Sequence, residues 1–396
     1  MRSDEGIKEV ANKLLEPKNL GVVSVEPLQS LWAGYGQIVR LQAIPISSEA
    51  SSQMQSLILK LVTPPTDASK ARDEGHLRKV ISYQVEQYFY SHLASSMPPS
   101  LAVSSCLASL NEQSNASSTI AMVLSDLKES FPLAGEKRGE LNETQVNSAI
   151  RWLATFHGIW WKRRNLLRDG GLRKPPLEEA QNDAQGGGVW LNGGYTYLAT
   201  RRKEYRSLCN DQQSEWSSLL CRPVASAGQS IAELVAKVLS PSANEGTRFA
   251  ISDYETLIHG DVKSENLFTT TSGDAVAFYD FQYVGLGLGV CDLAKLFTCS
   301  VPLELLAGPE NTHQPMSQGE HMLLEPYRQT LQETSGKDYP WDLFEQHWNT
   351  ALVDWLRFQA SWGFWGNTEW LEGRVRYILK DEKWKAWLLE AVGEGA

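Results

Sequence analysis

The sequence predicts an α+β protein in two lobes: a small N-terminal antiparallel sheet with one main helix, then a larger, mainly helical C-terminal lobe. The chain has 396 residues, more than one typical domain length. Short apolar runs bounded by turn residues flank one strong helical stripe in the first 125 residues or so. Beyond Asp126 the apolar spacing becomes mainly helical. These observations place the lobes at residues 1–125 and 126–396.

Composition narrows the class. At 42% hydrophobic and 21% charged residues, the chain is globular, which excludes collagen-like and largely disordered classes. Its net charge of −10 repels phosphate backbones, so nucleic acid is not an expected partner. The same charge favours neutral or cationic small substrates. The opening residues Met1 to Gly6 are charged, and nowhere do about 18 apolar residues run uninterrupted, so neither a signal peptide nor a membrane span is read. Five scattered cysteines without a Cys-x-x-Cys pair suit thiols kept reduced in the cytoplasm. Oligomeric state leaves no mark in the sequence.

In chain order, Leu57 to Val62 is an apolar run closed by Pro64 and Pro65, which predicts a strand. Leu77, Val80, Ile81, Val85, Phe89 and Leu93 then recur at helical spacing. Thr119 to Leu124 is a second bounded strand. The helix predicted over Asn142 to Trp161 carries Val146, Ile150, Leu153, Ala154, His157 and Trp161 on one face. Lys162 to Lys174 holds six basic residues against one acid, read as a solvated helix end with an anion patch as the alternative. Gln181 to Gly194 is glycine-rich and reads as a surface loop that Trp190 and Tyr195 could anchor. Eight of the 14 tryptophans follow residue 340. Trp341, Phe344, Trp348, Leu352, Trp355, Gln359 and Trp362 step by three or four, as a buried helix face does. The alternative is that one or two of these indoles line a pocket and face a substrate cation.

The chemistry concentrates between Leu257 and Phe281. Two apolar runs, Asn266 to Thr269 and Ala275 to Tyr279, are separated by a Thr-Ser-Gly-Asp turn, which predicts an antiparallel hairpin. Closing it brings Asn266 and Asp280 side by side at one end, with Asp261 in the entering loop. A carboxylate and a carboxamide at a hairpin mouth are hard oxygen donors suited to Mg²⁺ on nucleotide phosphates. A second carboxylate nearby can orient or deprotonate an attacking hydroxyl.

His259-Gly260-Asp261, with Asn266 five positions beyond the Asp and Asp280-Phe281-Gln282 starting nineteen beyond it, resembles the superfamily of aminoglycoside phosphotransferases, choline kinases and ecdysteroid-kinase-like proteins. The resemblance implies the bilobal protein-kinase-like fold and an ATP- and Mg²⁺-dependent transfer to a small-molecule hydroxyl, as on an amino sugar, a choline-like amine, a sterol or another alcohol. Asp261 becomes the catalytic base, Lys263 a contact to the transferred phosphate, and Asn266 and Asp280 the metal ligands. Lys60 becomes the phosphate-binding lysine and Glu86 its orienting partner. That pairing agrees with the cost of burying an unpaired ammonium in Leu-Ile-Leu-Lys-Leu-Val. Met122 to Leu127 resembles the interlobe hinge, placing Ser125, Asp126 and Leu127 beside adenine. Gly34 and Gly36, in Trp32-Ala-Gly-Tyr-Gly36, take the place of the nucleotide loop, or else form an ordinary hairpin turn. His157 is expected to be a packed structural histidine, and Asp292 to brace the catalytic loop.

Protein kinases carry Arg where this chain has Gly260 and Gly where it has Gln282, and no Ala-Pro-Glu follows. A small-molecule acceptor is therefore favoured over a protein one. A non-catalytic nucleotide-binding scaffold is a further alternative, opposed by the presence of the base, metal and lysine positions together. Transfer of a nucleotidyl group is another.

Overall fold

The computed structural model describes residues 3–47, 53–65, 73–113, 118–181, 187–224, 227–241, 253–307 and 315–393. Strands β1 (Leu20–Ser30), β2 (Gly36–Pro45), β3 (Gln55–Val62), β4 (Cys106–Gln113) and β5 (Ser118–Ser125) form one antiparallel sheet in the order β1-β2-β3-β5-β4. The strands predicted over Leu57–Val62 and Thr119–Leu124 are thus its two inner neighbours, β3 and β5. Their central position suits apolar runs buried on both faces.

Period-two alternation in β3 sends its side chains to opposite faces. Leu57, Leu59 and Leu61 pack with Ile7, Val10, Ala11 and Leu14 of α1 (Asp4–Leu15). The sequence reading did not single out α1, although these four residues show the i, i+3, i+4, i+7 stripe. The other face of β3 carries Ile58, Lys60 and Val62 toward α2 (Glu74–Tyr88). Val62 shares a cluster with Tyr83 of that helix, and Lys60 pairs with its Glu86.

The long stripe to Leu93 does not form one uniform α-helix. After Tyr88 the backbone widens into a π-turn over Phe89–Leu93. Phe89 there stacks on Phe281 with ring centroids 3.9 Å apart. A bulge that places a buried ring against the Asp280-Phe281 segment accords with the preference of π-turns for functional positions.

After β5 the chain turns through a short 3₁₀ segment, Leu127–Glu129, capped by the Asp126 carboxylate. Helix α3 (Glu143–Lys162) follows, opened by a capping box between Asn142 and Gln145. His157 is fully buried on it, with Nδ1 2.7 Å from the Tyr327 hydroxyl and Nε2 3.2 Å from Asp292, a packed structural histidine as expected. The basic stretch after α3 is tied down by acids: Arg168 is bidentate to the buried Glu255, and Arg173 sits 2.7 Å from Glu179. Within Gln181 to Gly194, residues 182–186 lie outside the described ones. Trp190 is buried in a short strand beside Gly285 and Tyr195 packs on Tyr283, so both indeed anchor the segment.

The helix Trp341–Trp362 spans the stripe predicted for it. Phe344, Trp348 and Leu352 belong to the main core. Trp355 belongs to that core and also lines a cavity, which the exposed Trp362 borders, so the stripe serves both packing and pocket. All five cysteines are unpaired. Among the described residues no helix is long and apolar enough to cross a membrane.

His347 on this helix is buried, with Nδ1 bonded to the Tyr339 hydroxyl. Burial pushes its pKa from the ordinary 6.5 down to about 3. Because the folded value is depressed, the neutral ring contributes stability above 6.5 that is lost as pH falls. Between about pH 6.5 and about pH 5 this group alone should remove about 2 kcal/mol. Urea unfolding of His347→Gln should show a pH slope smaller by that amount; an unchanged slope refutes the assignment.

Candidate active site

The predicted hairpin is present, with Leu267–Thr269 paired antiparallel to Val276–Phe278. The Tyr279 N–H donates to the Asn266 carbonyl at 3.0 Å, so Asn266 and Asp280 sit at the same end as expected. Asn266 lies in a short 3₁₀ turn just before its strand, and Asp280 adopts a left-handed backbone, φ +65°. That conformation is uncommon outside glycine and marks a chain forced to turn at a functional position.

The entering loop is held by one buried carboxylate. Asp292, at the start of the helix Val290–Ser300, accepts the backbone N–H groups of His259 at 2.7 Å and Gly260 at 2.9 Å, bracing the loop as expected. Burial would raise its pKa, but His157, Lys295 and His259 hold it below the usual carboxylate range. The His259 ring bridges the loop and the hairpin: Nε2 is 2.9 Å from the Tyr279 carbonyl, and Nδ1 is 3.3 Å from the Asp261 N–H. This network assigns a neutral ring with its proton on Nε2. Burial lowers its pKa, which agrees. Gly260 has φ +86°, and a Cβ there would lie 2.3 Å from the Tyr283 carbonyl and 2.6 Å from the Gly194 nitrogen. No side chain fits where protein kinases place arginine.

Around that loop the predicted residues converge. Asn266 Nδ2 donates to the Asp261 carboxylate at 2.9 Å and to its carbonyl at 2.8 Å. Lys263 Nζ sits 3.1 Å from Asp261 and 3.2 Å from Glu265. Lys60 Nζ lies 2.6 Å from Glu86 and 3.0 Å from Asp280. Burial opposes the lysine's charge, yet the two carboxylates outweigh it and raise its pKa. Burial also pushes Glu86 up to about 7 against the pull of Lys60, while Asp280 is lowered because Lys60 overcomes the cost of burying it. Of the two acids sharing this ammonium, Glu86 is therefore the harder to ionise.

Other predicted positions are partly engaged within the protein. The Ser125 N–H donates to the Ser105 carbonyl and the Ser125 hydroxyl oxygen accepts from the Ser105 N–H, each at 2.9 Å, because the chain leading into β4 still runs beside β5 there. The backbone N–H of Ser125 is thus taken, while its hydroxyl hydrogen is not. The Asp126 carboxylate binds Arg40, Ser56 and the Lys128 N–H, fastening β2 and β3 to the connection. Of Asp126 and Leu127, only the backbone is left to meet a base. Trp32 to Gly36 forms the β1–β2 turn. Gly36 is required there because a Cβ would lie 2.0 Å from the Leu61 carbonyl, a packing demand of β3. Gly34, at φ +74°, has open space around it.

Sequence reasoning missed two residues. Gln282 Nε2 donates to Asp280 at 2.6 Å, and Ser82 of α2 donates to Gln282 Oε1 at 3.2 Å, an ordering of Asp280 that a Gly at this position would lack. Lys295 is buried, with Nζ 2.6 Å from the Gly260 carbonyl. Its only sequence signal is its position three residues after Asp292 on one helix.

Beside Asp261 opens a cavity of about 220 Å³. Lys263, Lys295, Tyr195, Trp355, Trp362 and Trp365 are among its walls. Among the described residues no cluster of three His, Cys, Asp or Glu side chains could hold a metal by itself. Two oxygen donors do fit a metal that completes its shell with phosphates. Both bonds to Asp280 fall on Oδ1, and among the described residues its Oδ2 and the Asn266 amide oxygen take none.

Residues 35–312 match the ecdysteroid kinase-like family, and the chain belongs to it. Curated proteins show no match. Among solved structures, similarity extends to a Brachybacterium faecium macrolide 2'-phosphotransferase at 12% identity, covering 96% of this chain and 98% of that one with a TM-score of 0.42. A Plasmodium vivax ethanolamine kinase is 12% identical over 95% of this chain and 87% of that one, TM-score 0.41. A Streptococcus pneumoniae choline kinase is 14% identical over 98% and 99%, TM-score 0.38.

Removing the shared ammonium leaves the buried Glu86 and the half-buried Asp280 uncompensated. Lys60→Met should cost about 3 to 5 kcal/mol in urea unfolding. Glu86, already raised to about 7, would rise further, so the loss should grow as pH increases through 7. Adding Glu86→Gln should remove that growth. A loss independent of pH in the single variant would show that Glu86 does not depend on Lys60.

Proposed function

We propose that this protein is an ATP- and Mg²⁺-dependent kinase that phosphorylates a hydroxyl group of a small molecule. The observation that carries the reading is the convergence on one loop of Asp261, Asn266 and the Lys60–Glu86–Asp280 group, from four separate stretches of chain. We place the nucleotide-binding lobe at residues 1–125 and the catalytic, acceptor-binding lobe at residues 126–396. Five unpaired thiols suit a cytoplasmic setting.

Lys60 binds nucleotide phosphate oxygens, oriented by Glu86 and Asp280. Gly34 leaves backbone free to approach the phosphates, and the backbone of Asp126 and Leu127 faces the base. Asn266 Oδ1 and Asp280 Oδ2 hold the metal, which when bound offsets phosphate charge. Asp261 accepts the acceptor's hydroxyl hydrogen and orients its oxygen toward the γ-phosphorus. A new O–P bond forms as the bond from phosphorus to the β,γ-bridging oxygen breaks. The hydroxyl proton passes to Asp261, and ADP leaves with the bonding pair. Lys263, held 3.1 Å from Asp261, is within reach of the moving phosphoryl group.

A protein acceptor is opposed by the crowding at Gly260, which leaves no site for the arginine that would receive a regulatory phosphate. A scaffold role is opposed by the metal donors left unengaged at Asn266 and Asp280. Nucleotidyl transfer is distinguished by the mass of the product.

With an acceptor identified by ADP release, Asp261→Asn should lower kcat by about a hundred- to ten-thousand-fold and leave nucleotide affinity intact. Retained turnover would rule Asp261 out as the base. Calorimetry of Asp280→Ala should show Mg²⁺–ATP binding weakened more than metal-free ATP binding. Equal weakening of both would place the metal elsewhere.

A further inference from the structure

We propose that the cavity beside Asp261 is selective for an alcohol that also carries an anionic group such as a carboxylate, and that Lys295 and Trp355 determine this preference. The inference rests on reading the cavity as the acceptor site and gives its substrate class.

Aromatic walls beside a catalytic carboxylate suggest a box for a substrate cation, but here the box is already occupied from within. Lys295 Nζ lies 5.6 Å from the Tyr195 ring centroid and 5.9 Å from that of Trp355, within cation–π range of both. Arg201 lies 5.0 Å from the Trp362 ring and 5.5 Å from that of Tyr195. The two positive side chains already use aromatic faces that would otherwise attract an ammonium. An added ammonium would lose that attraction and meet like charge in a partly enclosed space, where Coulomb interactions are less screened than in water.

The donors left over point to an anion. Lys295 has three N–H donors, and among the described residues one is accounted for, by the Gly260 carbonyl. The Trp355 indole N–H is buried with no hydrogen-bond partner among the described residues, and an unmet donor in such a place is costly. A carboxylate accepts from both an ammonium and an indole N–H, and gains most from the charged one. Lys263, in the same wall, is already engaged and outnumbered by Asp261 and Glu265, whereas Lys295 bonds a neutral carbonyl. Lys137 and Arg138, both exposed, add positive charge at the rim. Four basic side chains, Lys137, Arg138, Lys263 and Lys295, against the two acids Asp261 and Glu265 leave the cavity lining positive, the reverse of the net charge of −10 that favours a cationic substrate when read from the sequence.

The test is a matched ring series: 4-(hydroxymethyl)benzoate, 4-methylbenzyl alcohol and 4-(hydroxymethyl)benzyltrimethylammonium. Each is titrated calorimetrically into the full chain without nucleotide and then assayed for ADP release with Mg²⁺–ATP. The benzoate should bind tightest and the ammonium weakest, about ten- to a hundredfold apart. Lys295→Met should collapse that ratio toward one, and Trp355→Phe should weaken the benzoate selectively. Because the ranking is read on unmutated protein, a poorly folding variant leaves the test standing. Equal or tighter binding of the ammonium, or equal binding of the benzoate and the neutral alcohol, overturns the proposal. The benzoate-first ranking without ADP release would uphold the pocket and refute the kinase reading. ADP release led by the ammonium compound would do the reverse.

Discussion

One buried ammonium organises the site. Lys60 lies on an inner strand of the sheet, Glu86 on the helix packed against that sheet, and Asp280 at the hairpin end within the helical half. A lone lysine there would be expelled or neutralised by desolvation, and either carboxylate alone would be raised and protonated. Together they hold three distant segments in one arrangement, and Gln282 and Ser82 add a second tie between α2 and Asp280. Such a group is better evidence for a specified geometry than for net stability, since well-packed apolar residues of similar volume often match a buried ion pair in energy.

A second buried group carries the loop of Asp261. Asp292 spends both oxygens on consecutive backbone N–H groups, and His157 and Tyr327 stand behind it. Each polar group has a partner within the core, as low dielectric demands. His259 then transmits the loop's position to the hairpin through one ring, and Phe281 closes the space beneath by stacking on Phe89. The loop's conformation is thus set by the core of the helical half, which fixes the position of the Asp261 carboxylate.

Much of this was legible in the sequence where the governing physics is local. Hairpin closure depends on a turn and two short apolar runs, so the neighbouring positions of Asn266 and Asp280 followed from spacing. The partner of Lys60 followed from the cost of burying its charge. The helix stripe over Trp341 to Trp362 was equally plain, but periodicity reports only which side is apolar. Both a core and an aromatic cavity satisfy that side, so Trp348 and Trp355 look alike until their neighbours are known.

What the tertiary structure alone decided was who meets whom across long separations. Ser125 reads as a hinge residue, yet its backbone N–H is committed to the Ser105 carbonyl. Gly36 reads as a phosphate-binding glycine, yet the approach of the Leu61 backbone is what demands it. Lys295 reads as one more charged residue on a helix, yet the fold buries it against Gly260 and between two aromatic rings. From sequence alone came two inner strands of the sheet, three of the helices, the hairpin and the carboxylates of the loop, because backbone propensity and desolvation act on neighbours in the chain. The character of the cavity beside Asp261 came only from the fold, because charge and hydrogen-bond complementarity depend on distances that no spacing in the chain encodes.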